Sequence, residues 1–127
     1  RETGLPIVII THDMGVVSAV ATRVLVMYGG QVQEEGPVDA VLAAPFHPYT
    51  QALINAIPAP DAETDGQERS YIRGEPPNLL APPPGCRFAP RCDKAFARCS
   101  DEMPARLNPE PGRFVRCHLY DAQADVR

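Results

Sequence analysis

A chain of 127 residues holds one modest domain at most. Its 44% hydrophobic content supports a core, and a net charge of −4 gives no overall reason to expect nucleic acid as a partner. The composition is uneven, because residues 58–127 carry 11 of the 15 prolines and few apolar runs, whereas residues 1–57 are apolar and regularly patterned.

The opening, Arg1-Glu2-Thr3-Gly4, has no charged leader followed by a long apolar run. Ile7-Val8-Ile9-Ile10 is far too short to span a bilayer. The chain starts just before a buried-looking strand and reads as the tail of a longer protein. Leu5 to Thr11 is a continuous, largely β-branched run, which predicts a strand covered on both faces in a parallel sheet. Asp13 is placed to cap a helix from Met14 to about Ala21. Val24 to Tyr28 predicts a second strand, Gly29-Gly30 a tight turn, and Gln31 to Glu35 a more polar strand near a sheet edge. In that setting Glu34 and Glu35 read as solvated side chains rather than catalytic bases.

Pro37 suits the first turn of a helix running to about Ala43, with Val38, Val41 and Leu42 on one face. Pro48 starts another helix, with Tyr49, Leu53 and Ile57 on one side, and Pro58 and Pro60 stop it. Residues 61–70 read as a polar linker. A proline-rich extended stretch, from Gly74 to Gly85, then leads to the first cysteine.

Cys86, Cys92, Cys99 and Cys117 follow the pattern Cys-x5-Cys-x6-Cys-x17-Cys. Structural zinc usually uses a tight C-x2–4-C knuckle, which is missing here. Longer loops suit the more widely spread sulfurs of an iron–sulfur cluster, although the spacing differs from ferredoxin patterns. Two disulfides would need an oxidising compartment. Spacing alone leaves cluster, zinc, and disulfides or free thiols open. The region is locally basic: Arg87, Arg91, Lys94, Arg98, Arg106, Arg113 and Arg116 outnumber Asp93, Asp101, Glu102 and Glu110.

The run from Ile10 to Pro37, ITHDMGVVSAVATRVLVMYGGQVQEEGP, resembles the end of the nucleotide-binding domain of ATP-binding cassette transporters. The resemblance implies that His12, at the carboxyl end of the first strand, is the switch histidine that contacts the γ-phosphate. Phe46-His47-Pro48-Tyr49-Thr50 resembles the ending of the oligopeptide/dipeptide-uptake branch, where it leads into a C-terminal extension. There is no G-x-x-x-x-G-K-[ST] loop, no LSGGQ-like signature and no apolar run ending in Asp-Glu. Gly29-Gly30 is a hairpin turn, not a phosphate loop. This chain alone is therefore not expected to bind or hydrolyse ATP appreciably.

Gly85-Cys86-Arg87-Phe88-Ala89-Pro90-Arg91-Cys92, then Cys99, then Val115-Arg116-Cys117-His118-Leu119-Tyr120 are similar to the extension of the same ATPases. In some members four such cysteines hold a four-iron, four-sulfur cluster, whose negative charge the nearby Arg and Lys would offset. Asp93 and Ala89 depart from the family's commonest wording without removing a thiol. His118 would be a ligand only in a zinc reading.

The resemblance thus implies an α/β fold: residues 1–57 as the C-terminal piece of a P-loop ATPase domain, and residues 58–127 as a proline-rich, irregular extension stapled by its cysteines. It implies an ATPase subunit driving peptide import, with His12 as its catalytic and nucleotide contact and Cys86, Cys92, Cys99 and Cys117 as metal ligands. The intact protein would use ATP with Mg. Its partners would be transmembrane permease subunits, a second ATPase subunit and, indirectly, an extracytoplasmic peptide-binding protein, at the cytoplasmic face of the bacterial inner membrane. The cluster is expected to act as a staple more than as a redox sensor. The rival reading is a zinc-stabilised, non-enzymatic binding module with a basic face.

Overall fold

The structure, a computed structural model, describes residues 4–57 and 72–121. The linker expected at 61–70 lies outside the described residues. Helix α1 spans Met14–Val20, and Asp13 caps it as expected, its Oδ1 accepting from the backbone N–H of Gly15 at 2.8 Å and of Val16 at 3.3 Å. Strands β1 (Arg23–Tyr28) and β2 (Gln31–Pro37) form an antiparallel hairpin. Its turn is Gly29-Gly30, with φ of +57° and +78°. Two successive positive φ values fit the right-handed twist of a hairpin and favour glycine at both positions.

Val24, Val26 and Tyr28 point inward from β1, while Arg23, Leu25 and Met27 point outward. Val26 pairs with Glu34 but Met27 pairs with Val32, so Gln33 is an extra residue in the ladder. Helix α2 (Val38–Ala43) lays Val41, which has no exposed surface, on the β1 valines. Helix α3 (Pro48–Asn55) adds Tyr49 and Leu53 to the same cluster; Ile57, the last residue expected on that face, is exposed instead.

Three expectations are corrected here. Leu5 to Thr11 is not a strand: residues 4–11 carry no regular structure, and Ile7, Val8 and Ile10 are exposed. A run apolar on both faces requires flanking strands to fill its hydrogen bonds, and no described residue pairs with it. The sheet is antiparallel, not parallel, in the order β1-β2-β4-β3, so β2 is interior rather than an edge. The cysteine-bearing segment is also more regular than expected. It contributes β3 (Leu107–Glu110) and β4 (Arg113–Val115), which complete the sheet through Glu34↔Val115 and Glu35↔Phe114. It also forms helix α4 (Ala97–Asp101) and single 3-10 turns at Ala89–Arg91 and His118–Tyr120.

The second core cluster gathers Tyr28, Cys86, Phe88 and Cys99, with Tyr49 packed against it. Tyr49 therefore belongs to both clusters. The Tyr28, Tyr49 and Phe88 rings meet pairwise, with centroids 4.7–5.3 Å apart. Such tilted and edge-on contacts add roughly 0.5–1.5 kcal/mol per pair beyond area burial. None of the helices among the described residues is long and apolar enough to cross a membrane.

Candidate functional site

The four cysteines come from four different local structures and converge on one cavity. Cys86 follows Gly85, whose α-carbon lies so close to the Cys99 carbonyl and the Ser100 backbone that a Cβ would overlap them. The Cys86 N–H donates to the Cys99 carbonyl at 2.7 Å, which ties the first loop to α4. Cys92 ends the Ala89–Arg91 turn, Cys99 sits inside α4, and Cys117 leads out of β4. All four are free thiols, and all but Cys92 are buried. The cavity also carries His47, Lys94 and His118, and its volume is about 20 Å³, room for about one water.

Burial is the main force on these thiols. It raises the pKa of Cys86 and Cys92 and pushes Cys117 up to about 11. The other thiols add to this at Cys117, since each thiolate repels the next. Backbone amides act the other way: those of Phe88 and Ala89 at Cys86, Lys94 at Cys92 and Leu119 at Cys117 favour the thiolate. A tetrahedral zinc with Zn–S bonds of about 2.3 Å requires its sulfurs within about 3.8 Å of one another. Among the described residues, no group of three or more His, Cys, Asp or Glu side chains could hold a metal ion. Neither a zinc site nor a metal-ligand role for the cysteines is therefore established by this geometry.

The basic residues do something different from what was expected of them. Most are tied to protein acceptors rather than gathered around the thiols. Arg87 donates to the Gly29 carbonyl and Arg116 to that of Pro104. Arg91 reaches the Ile72 and Arg73 carbonyls and the Tyr28 hydroxyl. Arg98 pairs with Glu102 and Asp121, and Arg106 pairs with Glu35. Lys94, on the cavity wall, donates to Gln51.

Glu34 is the largest departure. It has no exposed surface. Its Oε1 accepts from Phe46 N at 2.9 Å and Arg113 Nη2 at 3.1 Å, and its Oε2 accepts from His47 N at 2.9 Å. Arg113 also donates to the Ala44 carbonyl, and its guanidinium stacks 3.6 Å from the Phe46 ring centroid. The sequence reading missed this because Arg113, 79 residues away, gave no local signal. His47 was missed as well. It caps α3, its Nδ1 accepting from Tyr49 N at 3.0 Å, and a histidine directly before a helix-starting proline was the available signal. Its Nε2 is buried without a hydrogen-bond partner, a state that costs roughly 1–3 kcal/mol. His118 is buried too, with Nε2 2.8 Å from the Glu102 carbonyl. His12 is exposed, stands in the bend before α1, and does not line the thiol cavity.

The hairpin is extended by two strands of a cysteine-bearing segment, and between them in sequence stands the HPYT motif, buried at His47, Pro48 and Thr50. The chain belongs to the family described as the oligopeptide/dipeptide transporter, C-terminal region, whose model matches residues 33–99. It is 49% identical over 117 residues to the oligopeptide transport ATP-binding protein AppD of Bacillus subtilis, covering 92% of this chain and 35% of that protein. It is 40% identical over 125 residues to the dipeptide transport ATP-binding protein DppD of the same organism, covering 98% and 37%. With the oligopeptide transport ATP-binding protein OppD of Salmonella typhimurium it shares 44% over 117 residues, covering 92% and 34%. The chain thus spans about a third of the length of these curated relatives.

Proposed function

We propose that this chain is part of the ATP-binding subunit that powers a peptide importer, with residues 1–57 belonging to the ATPase domain and residues 58–127 forming the extension. The observation that carries this reading is the family match across β2, the HPYT motif and three of the four cysteines. The names of relatives alike over nearly the whole chain support it. In the intact subunit, ATP with Mg would be the cofactor. Membrane permease subunits and a second ATPase subunit would be the partners, at the cytoplasmic face of the membrane.

His12 is the residue assigned to the γ-phosphate. Its exposure, just ahead of a capped helix, leaves its ring free to meet a ligand. A histidine in that role orients a phosphate oxygen and the attacking water. Replacing His12 with Ala in the full-length subunit should cut ATP turnover steeply while leaving nucleotide binding largely intact. Undiminished turnover would sink the assignment.

Cys86, Cys92, Cys99 and Cys117 are assigned to an iron–sulfur cluster. The support is their convergence on one cavity and the backbone amides that favour thiolates there. A bound cluster supplies one-electron chemistry and a four-point tether, and the tether is the role this proline-rich segment needs. Protein purified without oxygen should be brown with broad visible absorbance. Colourless protein with one zinc per chain would favour the rival binding module.

A further inference from the structure

His12 follows a stretch without regular structure and precedes helix α1. Among the described residues, no strand pairs with residues 4–11, so no sheet holds the imidazole from that side. Its constraints come from its two neighbours. The Asp13 N–H donates to Thr11 Oγ1 at 3.0 Å, which closes a turn around His12. Asp13 Oδ1 accepts from Gly15 N at 2.8 Å and from Val16 N at 3.3 Å. The Asp13 carbonyl accepts from Val17 N at 3.2 Å. Asp13 thus commits its N–H, its carboxylate and its carbonyl, and together these fix the direction in which the chain leaves His12. Val17 carries the constraint to the body of the protein. No residue of α1 is fully buried, but Val17 packs against Val24, Val26 and Val41. Beyond the far end of α1, the Val38 N–H donates to the Thr22 carbonyl at 3.1 Å. Gly15 meets a steric condition as well, because a Cβ there would stand 3.0 Å from Asp13 Oδ1.

We propose that Asp13, supported by Thr11, is a positioning residue that aims His12 at the γ-phosphate. This rests on the γ-phosphate reading of His12 given above and deepens it. A group that meets the reacting atoms accelerates the reaction only when its geometry is set beforehand, and a displacement of about 1 Å costs on the order of 100-fold. An exposed histidine has no packing of its own to set its direction. Here the backbone on both sides of it is bonded instead, so only the side-chain torsions of His12 stay free. Asp13 itself touches neither nucleotide nor water in this role and acts through the His12 ring.

The experiment measures ATP turnover and KM of the full-length subunit in Asp13→Ala, Asp13→Asn, Thr11→Val and Thr11→Ser, each with His12 present and with His12→Ala. Asp13→Ala removes the acceptor, while Asp13→Asn keeps an oxygen at the Oδ1 position. Thr11→Val removes Oγ1 at nearly constant shape, and Thr11→Ser keeps it. The expected result is a kcat lower by about tenfold to 100-fold in Asp13→Ala and by less in Thr11→Val, with KM for ATP little changed. Turnover in Asp13→Asn and Thr11→Ser should stay near wild type. With His12→Ala, neither Asp13→Ala nor Thr11→Val should lower turnover further, because the ring through which they act is gone. A merely structural role would lower turnover by the same factor in both backgrounds, and that result overturns the proposal. Unchanged kcat in Asp13→Ala and Thr11→Val, beside a steep loss in His12→Ala, overturns it too and leaves the γ-phosphate reading standing. If Asp13→Ala does not fold, the exposed Thr11 pair decides by the same criteria. Undiminished turnover in His12→Ala overturns the γ-phosphate reading itself, and this inference with it.

Discussion

A carboxylate with no exposed surface needs its lone pairs occupied, and Glu34 meets that demand with two backbone amides and a guanidinium. Removing it by Glu34→Ala strands Arg113 and two amides in the interior, at a cost of roughly 3–5 kcal/mol. Replacing both partners, as in Glu34→Leu with Arg113→Leu, should not restore wild-type stability, because the Phe46 and His47 amides still lose their acceptor. Chemical denaturation of the four proteins in the cycle checks this, and full recovery in the double variant would contradict it. His47 makes a second prediction at this scale. Its folded pKa, about 4, lies below the ordinary 6.5, so between those values the unfolded chain binds the proton and the native chain does not. Stability is then unaffected above pH 6.5 and falls as the pH drops toward 4, by about 3 kcal/mol in all. The slope should be shallower in His47→Asn, and parallel slopes would show that this ring does not resist protonation. Thiol reactivity follows the same logic. In metal-free protein, Cys92, the one partly exposed thiol, should alkylate first, while Cys117, buried and pushed up to about 11, should lag.

Among the elements, what was legible in the sequence had local causes. The Asp13 cap, the Gly29-Gly30 turn and the helices opened by Pro37 and Pro48 depend on residues within a few positions of each other. The misjudged elements depend on partners far away in the chain. β2 read as an edge because its own residues are polar, whereas β4, about 80 residues later, makes it interior. Leu5 to Thr11 has the composition of a buried strand but no described partner. The cysteines were found as a group from the sequence, since convergence of four thiols needs only a shared segment. Which residues surround them was not legible, because His47 arrives from the other side of the linker. The loop that carries Cys86 has two packing requirements of its own. Phe88 is 2% exposed at the centre of the second cluster, and Phe88→Ala should cost about 3–5 kcal/mol. Gly85→Ala should cost about 1–3 kcal/mol, since the Cys99–Ser100 backbone must retreat. Thermal unfolding of each variant measures both, and a neutral Gly85→Ala would mean that α4 is free to move.

At the scale of the whole molecule, the segment after the linker is structurally part of the sheet rather than an appendage. It supplies two of the four strands among the described residues, and Arg87, Arg91, Arg106 and Arg113 each reach residues of the hairpin or of the segment beside it. The exposed pairs among these contribute little each, but Arg113 is buried and stacked, and Phe88 fills a core that Tyr28 and Tyr49 share. Deleting residues 58–127 from a full-length subunit would leave β2 with an unpaired edge, Glu34 without its cation, and the Tyr28–Tyr49 face open to water. An exposed interior strand is a template for pairing with other chains. The truncated subunit should therefore form soluble aggregates or precipitate, seen as early elution on size-exclusion chromatography. Restoring residues 58–121 should return the monodisperse species, because both strands, Phe88 and the four arginines just named lie between residues 72 and 121. A truncated subunit that stays monodisperse and retains its thermal stability would show that the hairpin closes its own edge, and that the strands after the linker are dispensable for folding.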